Sequence, residues 1–287
     1  MPGGTSEVAS GEEHAASPRI SRRHQAGAHS ARGLLLTVMG ELILPAGAAA
    51  WTSAILTVFA RMGIAEKATR QALMRASQAG WLASQREGRR ARWALTPAAR
   101  NMLSEGAERI FSFGQPGDWD HRWVVVTARI TESDRRARHV VRTRLTWAGF
   151  GALSAGLWIS PHAQRAGEAE RVLRDAGVGD ASVFIAERTG LGDPRSMVSA
   201  AWDLPAVAAE YESFSTEFLG QAPPDVLARH IELVHAWRRF PSIDPALPRE
   251  LLPARWTGER AARLFADRHR LWLGEATREW QRLNASG

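Results

Sequence analysis

The sequence predicts a multidomain α+β protein in three units: an N-terminal winged helix-turn-helix, a central ferredoxin-like βαββαβ unit, and a mostly helical C-terminal region. Three observations predict it. Apolar residues recur at helical spacing up to residue 80 and lead into two short strand-like segments around Gly88. Strand and helix patterns then alternate between Trp123 and Gly190. From Asp193 onward helical periods dominate, interrupted by one proline-rich stretch. The boundaries that follow are 1–30 for a tail, 31–113, 119–192 and 193–287 for the three units.

With 287 residues and 45% hydrophobic side chains, the chain can build two or three cores. Its apolar runs fall short of the roughly 20 residues a membrane span needs. The opening residues lack the apolar block of a secretory signal. Cysteine is absent, which removes disulfide frameworks and thiolate chemistry. A cytoplasmic protein is expected.

The tail, residues 1–30, is Gly, Ser, Ala and charge. It cannot bury enough apolar surface to offset ordering and is expected to be disordered. The first helix begins at Ala31, with Leu34, Leu35, Val38, Met39 and Leu42 on one face. A second places Trp51, Ile55, Val58, Phe59 and Met62 together. The third carries small residues at spacings of three and four, Ala65, Ala68, Ala72, Ala76 and Ala79, as its inner stripe. Lys67, Arg70, Gln71, Met74, Arg75 and Gln78 fall on roughly the opposite face. After Gly80, two strands around Gly88 present Arg86, Arg89, Arg90 and Arg92.

In the middle unit, Trp123–Ile130 reads as a strand buried on both faces. A helix follows, capped by Ser133, contributing Val140, Val141, Leu145 and Trp147 to the core and ending before Gly149. Two short strands, a helix and a last strand complete βαββαβ. The third unit reads as three helices, with a proline-rich loop anchored by Phe240, Leu247, Leu251, Leu252 and Trp256.

Charge is unevenly placed. Residues 31–113 hold 11 basic and 5 acidic side chains, nearly the whole excess of a chain of net charge +7. Arginine can bind guanine bidentately, glutamine can bind adenine, and basic groups elsewhere neutralise phosphate. The third helix and hairpin therefore point to double-stranded DNA, with Lys67, Arg70, Gln71, Met74, Arg75 and Gln78 on the bases and Arg86, Arg89, Arg90 and Arg92 along the backbone or minor groove.

No catalytic or metal constellation emerges, and an enzyme is not expected. In the segment GFGALSAG, Ser154 stands where a dinucleotide loop needs its last glycine. His230 and His235 lie about 140° apart on a helix, a poor geometry for a shared metal. The segment around His269 reads as a solvated face. Asp118, Asp120 and Asp134 read as linker and cap residues. The segment His235–Phe240 is open to two readings: a phosphate-holding basic cluster beside aromatic rings, or a helix end whose carbonyls attract arginine.

Residues 40–100 resemble the N-terminal domain of the PaaX family of repressors. Residues 238–265 resemble the same family through the run DPALPRELLPARW. The likeness extends from about Ala31 to the C-terminus. It implies a bacterial repressor of aromatic-acid catabolism, typically of phenylacetate, that binds its operator as a homodimer. Release of the operator by an aryl-CoA thioester such as phenylacetyl-CoA is also implied, with no other cofactor. His235, Trp237, Arg238, Arg239 and Phe240 are then the candidates for holding the polyanionic effector and its ring. The family's middle domain is similar to small CRISPR nucleases that hold metal with an aspartate at the end of the first strand. Here that strand ends with Thr127 and Arg129, so a dimerisation or sensing role is expected instead.

Overall fold

The computed structural model describes residues 30–114, 118–220 and 224–287. The expected disordered tail lies outside the described residues except for Ser30, and the linker after Phe113 lies partly outside them. Ser30 belongs to the first helix, since its Oγ accepts a hydrogen bond from the Gly33 amide at 3.1 Å. That is an N-cap, which satisfies a donor the helix leaves free.

Helix α1 (Ala31–Val38) runs through a π-helical turn, Met39–Ile43, into the short α2 (Leu44–Ala46). Leu34, Leu35, Val38, Met39 and Leu42 are all buried. Strand β1 (Ala50–Trp51), α3 (Thr52–Arg61), α4 (Glu66–Gln78), β2 (Leu82–Glu87) and β3 (Arg90–Leu95) follow. The strands form an antiparallel sheet ordered β1-β3-β2. Trp51 was expected in the second helix but pairs as strand β1 against Arg92 of β3. Gly88 takes φ +62 in the two-residue turn between β2 and β3, the conformation such hairpins need.

The inner stripe of α4 is wider than its alanines. Ala72 and Ala76 are buried, but so are Thr69 and Leu73, whereas Ala65 is exposed ahead of the helix. The helix contacts both α1 and α3, so its buried arc spans two neighbours.

Helix α5 (Pro97–Phe111) is capped by Thr96, whose Oγ1 accepts from the Ala99 amide. In the middle unit come β4 (Arg122–Ala128), α6 (Arg135–Trp147), β5 (Gly151–Ser154), β6 (Leu157–Ser160), α7 (Ala166–Asp175) and β7 (Ala181–Glu187). They form a four-stranded antiparallel sheet ordered β5-β6-β4-β7. One face of β4, with Val124 and Val126, packs on Val141, Leu145 and Leu173 of α6 and α7. The other, with Trp123, meets Val198, Leu247 and Leu251. The strand is thus buried on both faces. Two details of α6 differ from expectation. Asp134, not Ser133, caps it, because the carboxylate accepts from the Ala137 amide at 2.9 Å. Trp147 is exposed at the last turn.

The C-terminal region comprises α8 (Pro194–Ala201), α9 (Leu204–Phe218), α10 (Val226–Trp237), α11 (Phe240–Ile243) and the 29-residue α12 (Thr257–Ala285). Phe240, Leu247, Leu251 and Leu252 bury the proline-rich loop as expected, with Trp256 partly buried. The N-terminal core is not self-contained. Leu227 and Ile231 of α10, and Ala276 and Trp280 of α12, belong to the same buried cluster as α1, α3 and α4. No helix of the described residues is long and apolar enough to cross a membrane.

Candidate nucleic-acid interface

Helix α4 forms because good helix formers run from Glu66 to Gln78. Its buried arc fixes which face is left outside. Lys67, Arg70, Gln71, Met74, Arg75 and Gln78 are all exposed and line one open surface with Glu66. Arg70 Nε contacts Glu66 Oε1 at 2.7 Å across one helical turn, an exposed pair that water and salt weaken. The face offers amide and guanidinium donors with Met74 as an apolar element between them.

The hairpin divides its arginines. Arg86 and Arg89 are exposed at its tip. Arg92 pairs with Glu87 at 3.0 Å and lies over the Trp51 ring at 4.0 Å; Arg90 lies over the same ring at 4.6 Å and donates to the Gly287 carbonyl. Two of the four are therefore held, by Glu87, by the Trp51 ring of β1 and by the Gly287 carbonyl. Asn284 of α12 reinforces that joint, its Oδ1 accepting from the Trp51 amide at 2.7 Å and its Nδ2 donating to the Ala49 carbonyl.

The segment His235–Phe240 is largely turned inward, its two aromatic rings lying in the core. Trp237 and Phe240 are each 1% exposed. Trp237 stacks on Phe265 at 4.7 Å and Phe240 on Tyr211 at 4.2 Å, inside the C-terminal core. Arg238 is half-buried, and loss of solvent around it lowers its pKa. Its Nη1 donates to the Gly33 carbonyl at 2.9 Å and to Thr37 Oγ1 at 3.1 Å, while His235 Nδ1 lies 2.9 Å from the same hydroxyl. A Cβ on Gly33 would come within 3.2 Å of the His235 ring, so the glycine lets α10 approach α1. Arg239 alone keeps a half-exposed side chain, paired with Glu210. What the segment does is join α10 to the helix that backs α4.

The histidine readings also change. His269 is not on a solvated face: its Nε2 lies 2.7 Å from Glu41 Oε1, and His230 Nε2 reaches the same oxygen at 2.7 Å. Burial pushes the Glu41 carboxyl up, but the two imidazole contacts outweigh it and hold the group below the usual carboxylate range. Sequence alone pointed away from this meeting, because the partners are 189 and 228 positions apart. In the central unit, Thr127 is exposed at the end of β4 and Arg129 pairs with Asp180.

The molecule is thus a three-part α+β protein that exposes a cationic and amide-bearing helix beside an arginine-tipped hairpin. Residues 30–99 match the family described as PaaX-like protein, 116–198 the PaaX protein central Cas2-like domain, and 202–282 the PaaX-like protein C-terminal domain. The chain is 30% identical over 250 residues to the transcriptional repressor PaaX of Escherichia coli (strain K12), spanning 82% of this chain and 78% of that one. The chain belongs to the PaaX family. Among solved structures it is similar to the uncharacterised protein Rv0674 of Mycobacterium tuberculosis, with a TM-score of 0.65 and 22% identity, over 89% of this chain and all of the other.

Proposed function

We propose that this protein is a DNA-binding transcriptional repressor in which α3, α4 and the β2–β3 hairpin act as a winged helix-turn-helix. The observation that carries this reading is the common exposed face of Lys67, Arg70, Gln71, Met74, Arg75 and Gln78, next to the exposed Arg86 and Arg89. Helix α4 enters the major groove and the hairpin tip rides on phosphate. The central unit, ferredoxin-like in its strand order, serves in dimerisation or sensing. Its edge strand β7 exposes Phe184 and Ile185, about half accessible each, as a surface for a homodimer.

Membership of the family extends the proposal to an operon for aromatic-acid breakdown, released by an aryl-CoA thioester such as phenylacetyl-CoA. The effector acts only by binding the DNA-incompetent arrangement better. A hundredfold loss of operator affinity needs about 2.7 kcal/mol of coupling. The Arg238 and His235 contacts to α1, and the Asn284 contacts beside β1, are two joints through which the C-terminal helices can tilt the DNA-binding helices. The burial of Trp237 and Phe240 favours a second reading, a regulator of the same architecture without an acyl-CoA effector.

The test is fluorescence anisotropy of the full chain on its own upstream DNA, at fixed salt, with phenylacetyl-CoA, coenzyme A or phenylacetate added separately. Reversal by the thioester alone supports the effector reading. Specific binding untouched by all three supports the second. Equal affinity for scrambled DNA would contradict both.

A further inference from the structure

Three helices of distant sequence origin aim one ligand-type atom each at a single point. Glu41 comes from the π-helical turn after α1, His230 from α10 and His269 from α12. Their nearest carboxylate oxygen and imidazole nitrogens all lie within 4.8 Å of one another, the one such convergence among the described residues. The site is enclosed, with Glu41 and His230 side chains 6% and 0% exposed and His269 19%. Phe111 and Phe265 pack against the His269 ring at 5.0 and 5.6 Å.

We propose that Glu41, His230 and His269 bind one divalent transition-metal ion of the zinc class, and that the ion staples the N-terminal unit to α10 and α12. Two imidazoles and one carboxylate are a donor set that zinc accepts, with a fourth position left for water. With no cysteine in the chain, nitrogen and oxygen donors are the only strong ligands it has. Tetrahedral ligands at about 2.0–2.1 Å from zinc sit about 3.3 Å apart, so the present 2.7 Å contacts must open by roughly half an ångström. In the ion-free arrangement the imidazoles donate Nε2–H to the carboxylate. To ligate, each ring carries its proton on Nδ1 and presents the Nε2 lone pair to the ion. At His230 the buried Nδ1 has no hydrogen-bond partner among the described residues, so the exchange breaks no existing bond there but leaves a buried N–H that the metal bond must outweigh. Irregular π-turns in α-helices are frequently found at functional sites, and this one delivers the only buried carboxylate of the N-terminal unit's described residues.

The experiment is calorimetric titration of the full-length protein, stripped with chelator, with zinc sulfate, alongside thermal unfolding and the His269→Gln variant. The expected result is one zinc bound per chain and a melting temperature raised by about 5–10 °C at a hundredfold excess over Kd. His269→Gln should lose at least a hundredfold in that affinity while keeping its circular dichroism. The comparison also separates the site from the tail histidines His14, His24 and His29, which the variant retains. Should the variant fail to fold, zinc K-edge absorption of the wild-type complex decides, the proposal requiring two imidazoles and a carboxylate in the shell. Equal zinc binding by wild type and variant, no binding by wild type, or a different shell would overturn it and leave a hydrogen-bonded triad.

Discussion

Tyr211 and Asp244 show how single residues fix the proline-rich loop. The Tyr211 hydroxyl donates to Asp244 Oδ2 at 2.6 Å, and the Ala246 amide donates to Oδ1 at 2.6 Å. Ala246 is held at φ +55, an uncommon conformation for a side chain with a Cβ. Burial pushes the Asp244 carboxyl up, and the two donors only partly offset that. Tyr211→Phe should therefore leave a buried acceptor short of a partner and cost about 1–3 kcal/mol, read as a lower urea midpoint at unchanged slope. His162 gives a second prediction. Burial, helped by the nearby Arg165, lowers its pKa below the ordinary 6.5. The unfolded chain thus takes up a proton there before the folded chain does, and stability must fall as pH drops below about 6.5. His162→Gln, which can still donate to the Pro245 carbonyl, should flatten the stability profile between about pH 7 and pH 5. These pairs were not readable in advance, because Tyr211 and Asp244 meet only once α9 packs beside the loop.

At the scale of elements, α4 and the hairpin were legible because their signals are local. The period fixes the helix, Gly88 fixes the turn, and the polar residues on one arc fix the exposed face. What sequence missed is equally physical. Helix α5 has only one fully buried residue, Ala99, so it carries a weak apolar stripe. Its Met102 and Leu103 pack on the N-terminal core and Ile110 on the C-terminal one, a division no single period reveals. The α4 face makes a separable prediction. Gln71→Ala or Arg70→Ala should cost about 1–3 kcal/mol on the operator and relax base preference, whereas Arg89→Ala should weaken all sequences alike and reduce the salt slope by about 1. Competition anisotropy over several salt concentrations distinguishes them.

Across the whole molecule, the units are joined by shared core rather than strung on linkers. Helix α12 begins beside Tyr211 and ends against Trp51 of β1. Trp280, 2% exposed, sits in the N-terminal cluster although it lies near the C-terminus. Trp280→Ala should cost about 3–5 kcal/mol and loosen the N-terminal helices together with α12, seen as loss of amide-exchange protection in both. The order of the units could be read from the sequence; their fusion into common cores could not, since it depends on contacts from 189 to 235 residues apart. Sequence reading by α4, as proposed, stands or falls on its exposed polar face. The most direct measurement is the affinity of wild type and Gln71→Ala for operator and for scrambled DNA at one salt concentration. A loss of about tenfold or more on operator alone, with scrambled binding unchanged, is the predicted result. Equal affinities of the two proteins for operator would contradict it.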